Sequence, residues 1–336
     1  MNVTVRDDSG AFVRGLKRED FTLLEDGKPQ QLVSIDEENT DAVVSTDTPK
    51  AALLGNIRTP AAGDPRPDVQ AAPSSDLKDR RLIILFFDLS SMQPDETERA
   101  MKSAMDYAGK QMAPADVVAV VTLSNSMNVL LDFTADREEL KRALQSLDTG
   151  SGAGFAEGST GDTEATPDTG GAFTADDTEY NIFNTDRRLQ ALRSLAESLA
   201  GAPQRKSLLY FSSGIQRTGV ENQSELRAAV NAAVRANLAF YPVDVRGLQA
   251  IVPGGEARNA SLRGTSVYSG QAVLRQYDAN FASQETLVTL AADTGGTAFL
   301  DSNDFQPAFE KVQEDTSYYY LLGYRSSNPA RDGRFR

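Results

Sequence analysis

Asp88 and Ser90, two residues apart at the end of the apolar run Leu82–Phe87, are the residues of this chain best placed to do chemistry. At the carboxyl end of a buried strand their oxygens can converge on one point. A carboxylate with a hydroxyl is part of the ligand set of a hard cation such as magnesium. The same residues can instead cap the helix that follows, because Asp and Ser favour strand-to-helix turns. Local pattern leaves both readings open.

The element that must position them is RLIILFFDLSSM, 81–92. It is apolar without alternation, as expected of a central strand in a parallel sheet covered by helices on both faces. In open α/β sheets, ligands bind in the crevice outside the carboxyl ends of the strands, which is where Asp88 and Ser90 fall.

A chain of 336 residues is long for one domain and comfortable for two. Its net charge of −14, without any tract of Lys or Arg, argues against duplex nucleic acid or anionic lipid as the main partner. Cys, His and Trp are absent, which removes Cys- and His-based nucleophiles, zinc sites built on them, haem ligation and iron–sulfur clusters. Without cysteine there is no disulfide to indicate a redox compartment. No apolar run approaches the length of a bilayer span, and no signal peptide is evident. MNVTVRDDSG opens like a strand and DGRFR closes like the start of one, so both ends read as cut from a longer polypeptide.

Residues 1–40 alternate as short strands around the turn Glu25-Asp26-Gly27. Residues 41–78, rich in Ala, Pro, Thr and Asp, read as a mobile linker. Strand–helix alternation then predicts a doubly wound sheet over 79–315. Helices are expected from Pro94 to Met112, from a Thr134 cap to Leu147, and over 186–200, 222–237, 284–293 and 304–314. Strands are expected over 116–123, 129–133, 207–211, 239–243 and, at an edge, 297–300. The stretches 149–178 and 246–283 read as irregular loops. Tyr318–Tyr324 returns to a strand pattern, and 316–336 is expected to pair with 1–40.

FFDLSSM at 86–92, FNTDRRL at 183–189, KSLLYFSSG at 206–214 and AFYPVDVRGL at 239–248 resemble a von Willebrand factor A domain. With LKREDFTLLEDGKPQ at 16–30, DFTADREEL at 132–140, LAADTGGTAFLDSNDF at 290–305 and YYYLLGY at 318–324, the chain is similar to the bacterial von Willebrand factor A-related proteins abundant in acidobacteria. The resemblance implies an α/β fold with a doubly wound, mostly parallel sheet, and a small β-sandwich-like module built from the two terminal segments. It also implies a metal-ion-dependent adhesion site from three loops, with Asp88, Ser90, Thr185 and Ser213 at the ligand positions. A partner carboxylate would complete the shell of Mg2+ or Mn2+. Met92 replaces the third serine of the first loop and Ser213 the third-loop aspartate. A thioether is a soft ligand and a hydroxyl brings no charge, so the expectation is a degenerate site without metal. Asp186 or Asp95 are the carboxylates that could compensate.

Other segments point elsewhere less well. The glycines of GSGAGF at 150–155 follow a helix, not the strand a phosphate loop requires. Asp301, Asn303 and Asp304 lack the remaining ligands of a calcium loop and suit a helix cap. Tyr318-Tyr319-Tyr320 suits sheet packing. The functional expectation is a non-catalytic protein-interaction or adhesion module, exported as the resemblance implies, with no direct membrane insertion in this segment. The alternatives are a carboxylate-dependent metal hydrolase using Asp88 and Asp244, or a structural domain with a vestigial site.

Overall fold

In the computed structural model, β6 (Arg81–Asp88) is buried at every residue and lies in the middle of a six-stranded sheet. Residues 2–40, 49–57, 77, 79–147, 177–217, 219–248 and 271–328 are described. β7 (Asp116–Leu123) and β9 (Lys206–Ser212) run parallel to β6 on its two sides, and β10 (Leu238–Asp244) runs parallel to β9. β8 (Met127–Thr134) and the two-residue β5 (Lys50–Ala51) complete the other edge in antiparallel pairings. The order β10-β9-β6-β7-β8-β5 reverses its direction of winding between β6 and β9. The topological switch point therefore falls at Asp88, where an open sheet leaves its crevice.

Helices cover both faces, as the uninterrupted burial of the central strands demands. α1 (Pro94–Asp106), α2 (Arg137–Gln145) and α6 (Gln306–Asp315) pack with Leu85, Phe87, Val118 and Phe211. α3 (Asp177–Ser198), α4 (Gly219–Arg235) and α5 (Gln271–Thr294) pack with Ile84, Phe86, Leu208 and Phe240. Among the described residues no helix is long and apolar enough to cross a membrane.

Several boundaries differ from the sequence expectation. α2 is capped by Asp136, whose Oδ1 accepts the N–H groups of Glu138 and Glu139 at 2.9 and 3.1 Å; Thr134 belongs to β8. α3 begins at Asp177, where low apolar content hides the helix. α5 begins at Gln271, inside the stretch read as irregular. The expected strand at 297–300 reduces to one parallel bridge, Val243 to Phe299. Part of the expected linker is built into the domain: β5 pairs with β8, and Asp132 accepts the N–H groups of Leu53 and Leu54. Composition misses this because two residues suffice to add an edge. The 150–155 glycines lie outside the described residues.

The terminal segments meet in a three-stranded antiparallel sheet, β1 (Asn2–Val3), β11 (Tyr318–Tyr324) and β4 (Leu32–Asn39). Tyr318 and Tyr320 project into its core against Phe12 and Phe21, with ring centroids 5.8 and 5.5 Å apart. The hairpin of β2 (Leu23–Glu25) and β3 (Lys28–Gln30) adds Leu23. Its turn, Asp26-Gly27, has φ of 50° and 75°, the left-handed pair that a two-residue hairpin needs.

A buried cluster joins the two units. Arg81 Nη1 lies 2.5 Å from Asp116 Oδ1; its Nε and Nη2 donate to Thr316 Oγ1 and Thr40 Oγ1 at 2.7 and 2.8 Å. Thr40 follows β4 and Thr316 precedes β11, so one guanidinium grips both crossings. Asp116 Oδ2 accepts from Tyr107, Gln313 and the Ala113 N–H. Burial, then the charge of Asp116, pushes the Tyr107 phenol well above its ordinary pKa. Removing one member of a buried pair leaves the other uncompensated. Arg81→Met is expected to cost about 3–5 kcal/mol in urea unfolding followed by circular dichroism. The Arg81→Met/Asp116→Asn double variant should lose less than the two single losses added.

Lys206, fully buried at the start of β9, donates its Nζ to the carbonyls of Ala202 and Gln204 at 2.5 and 2.8 Å. Burial lowers its pKa from 10.5 to about 7. The folded state thus holds this proton more weakly than the unfolded chain. The lysine's contribution is least favourable below about pH 7 and improves as pH rises toward 10.5. The urea midpoint of the wild type, relative to Lys206→Met, should rise between pH 7 and pH 9; a difference independent of pH would contradict the assignment.

Candidate functional site

Strand alternation sets Phe86 and Asp88 on one face of the sheet, with Tyr210 and Ser212 beside them on β9. That face is covered by α3, so any group closing over Asp88 must come from that helix or the neighbouring loops. Asp88 is 0 % exposed. Its Oδ1 accepts from Ser90 Oγ at 2.5 Å. Its Oδ2 accepts from the Tyr210 hydroxyl at 2.7 Å and Ser212 Oγ at 3.4 Å. Arg188 of α3, 4 % exposed, places Nε 3.5 Å from the same oxygen and 3.3 Å from Ser90 Oγ. Its Nη1 donates to the Gly214 carbonyl at 3.2 Å. Burial, then the Asp88 charge, raises the Tyr210 pKa well above its ordinary value, which keeps the phenol a donor.

The four expected ligands are not all hydrogen-bonded to one another. Asp88 and Ser90 are together. Thr185 is buried and donates its hydroxyl to the Gln216 carbonyl at 2.7 Å. Ser213 donates to Glu96 Oε2 at 2.7 Å, and the same carboxylate oxygen accepts the Gln93 N–H, closing the start of α1. Burial lifts the Glu96 pKa above its ordinary value. Met92 is buried in the core. Asp186 accepts from Asn222, and Asp95 lies in the first turn of α1.

Sequence reasoning missed Arg188 and Tyr210. The signal for Arg188 was present: it stands at helical spacing from Thr185, Leu192 and Leu195, a charge on an apolar stripe. Tyr210 was hidden inside a strand that needs apolar bulk. Nearby, Asp244 ends β10 with the same arrangement. Arg246 Nε and Nη2 reach its two oxygens at 2.8 and 2.7 Å, and Gln284 Nε2 donates to Oδ2 at 3.1 Å. Asp301 and Asn303 brace α5, Arg99 and Leu248, while Asp304 Oδ1 accepts the Gln306 N–H at the start of α6.

These residues do not fit a divalent cation as arranged. Both Asp88 oxygens are engaged, and a fixed guanidinium stands within ion-pair distance. Like charges a few ångströms apart in a protein repel by several kcal/mol. Among the described residues no group of three or more carboxylates is placed to hold a metal ion. A cleft of about 240 Å3 lined by Arg99, Ser103, Tyr107 and Phe305 opens on the opposite face of the sheet; it is smaller than the usual small-molecule site.

No known family profile matches the chain, and no curated protein matches it. Solved structures do. An aerotolerance-related membrane protein from Bacteroides fragilis, carrying multiple mutations to serines, matches at 14 % identity over 70 % of this chain and 99 % of its own, with a TM-score of 0.41. The conserved hypothetical protein BatB from Bacteroides thetaiotaomicron matches at 16 % identity over 71 % of this chain and 98 % of its own, with a TM-score of 0.39. Proximal thread matrix protein 1 from the mussel byssus matches at 12 % identity over 73 % of this chain and 48 % of its own, with a TM-score of 0.38.

Tyr210→Phe removes the shorter of the two hydroxyl donors to Asp88 Oδ2 while keeping the ring against Phe86. It is expected to lower stability by about 1–3 kcal/mol, read as a shifted urea midpoint with an unchanged far-ultraviolet spectrum.

Proposed function

We propose that this chain is a non-catalytic protein-interaction module of the von Willebrand factor A type, with a degenerate adhesion site, recognising a protein partner across the carboxyl end of its sheet. The observation that carries the reading is a set of large apolar side chains left in solvent there: Phe183 is 64 % exposed, Leu248 69 %, Tyr277 56 % and Phe281 77 %. Hydrogen bonds locate their elements at that end. Thr185, two residues after Phe183, is bonded to Gln216, and Leu248 follows β10 and is held by Asn303. Asn280, beside Phe281 on α5, receives Arg246. Exposed aromatics of this size are what interface cores are made from.

A carboxylate-dependent hydrolase would need acidic groups open to metal and substrate. Asp88 and Asp244, the aspartates at strand ends, are buried and each faces an arginine, which favours the interaction reading. The reading includes a location outside the cytoplasm, as the family resemblance implies, where an adhesion module meets its partner.

The test is photo-crosslinking in cells of the source organism, with a photoreactive residue at Phe183, at Phe281, or at Glu138 on the opposite face. Discrete adducts from the first two positions and none from Glu138 are expected. Equal labelling from all three, or a manganese-dependent hydrolase activity abolished by Asp88→Asn, would reject the proposal.

A further inference from the structure

We infer that Arg188 is the resident cation of the Asp88 crevice, a built-in guanidinium standing where a divalent metal would otherwise be required, so that the site operates without metal. The inference rests on the interaction reading only for its consequence, that a partner docks without a carboxylate-to-metal bond. The electrostatic claim concerns the isolated chain.

Three observations converge on it. First, Arg188 is placed by rigid elements. It rises from the apolar stripe of α3, and its fork spans the Ser90 hydroxyl, the Asp88 carboxylate and the Gly214 carbonyl. Gly214 has a φ of +93°, and a Cβ there would meet Ser283 Oγ at 2.8 Å and Arg246 Nη2 at 2.9 Å. Only glycine turns the chain at this point and keeps that carbonyl aimed at Arg188. Second, the first-loop hydroxyl that would ligate a metal donates to Asp88 and accepts from Arg188, so it is used twice. Third, Asp244 is satisfied by Arg246 in the same way. Two buried carboxylates at the top of the sheet thus face two arginines. Glu96, the other buried carboxylate there among the described residues, is tied to Ser213 and the Gln93 N–H. An arginine makes this substitution well because it stays protonated, hydrates weakly and donates in several fixed directions.

The experiment is calorimetric titration of the wild-type chain with magnesium and then manganese, paired with thermal unfolding in metal and in chelator. No saturable heat at millimolar metal, and one midpoint in all three solutions, are expected. Saturable binding that disappears in Asp88→Asn would overturn the inference. Arg188→Met and Asp88→Asn should each lower the midpoint by roughly 10 °C, and the double variant by less than the sum. Strict additivity would show that Arg188 is not the counter-ion of Asp88 and would equally overturn it. Should Arg188→Met not fold, Arg188→Lys takes its place in the cycle with a smaller loss expected, because charge is kept while the contacts to Ser90 and Gly214 are lost. Crosslinking at Phe183 and Phe281 is unaffected by either result, so failure here and failure of the interaction reading are distinguishable.

Discussion

A carboxylate taken out of water must find opposite charge and hydrogen-bond donors, or the fold gives up about 3–5 kcal/mol, a large share of its margin of stability. This chain buries Asp88, Asp116 and Asp244 almost completely and gives each an arginine: Arg188, Arg81 and Arg246. The pairings fix more than charge. Arg81 on Asp116 clamps the two crossings between the α/β domain and the terminal β-sheet. Arg188 on Asp88 ties α3 to the switch point of the main sheet. Arg246 on Asp244 closes the end of β10 beneath α5.

The pairings also separate the two ends of the sheet by role. At the amino ends of the strands, Arg81, Asp116, Tyr107 and Gln313 form a closed network that welds two units into one. At the carboxyl ends Asp88 and Asp244 are sealed with their arginines below the surface, and the rim above them carries Phe183, Leu248, Tyr277 and Phe281. An apolar rim over a neutralised floor suits recognition by shape and burial better than by a single coordinate bond.

Much of the architecture was legible from residue pattern. The unbroken apolar runs of β6, β7, β9 and β10 announced a parallel sheet covered on both faces, because only full burial tolerates such runs. The Tyr318–Tyr324 strand and the alternation near the amino terminus announced a separate β-unit. Part of what stayed hidden was weakly periodic. The beginning of α3 carries few apolar residues in register, and β5 is two residues long, below any pattern. The amino-terminal half of α5 does carry Val273, Tyr277 and Phe281 at helical spacing, a signal the reading as an irregular loop passed over.

The candidate site divides in the same way. The sequence alone put Asp88 and Ser90 side by side at a strand end. Types and local spacing suffice for that, because neighbours along a strand end keep their relation in any fold. Only the tertiary structure decided what faces Asp88. Arg188 lies 100 residues away by number, and Tyr210 122. Their approach depends on how α3 and β9 stack against β6, a relation set by core packing that no local spacing encodes.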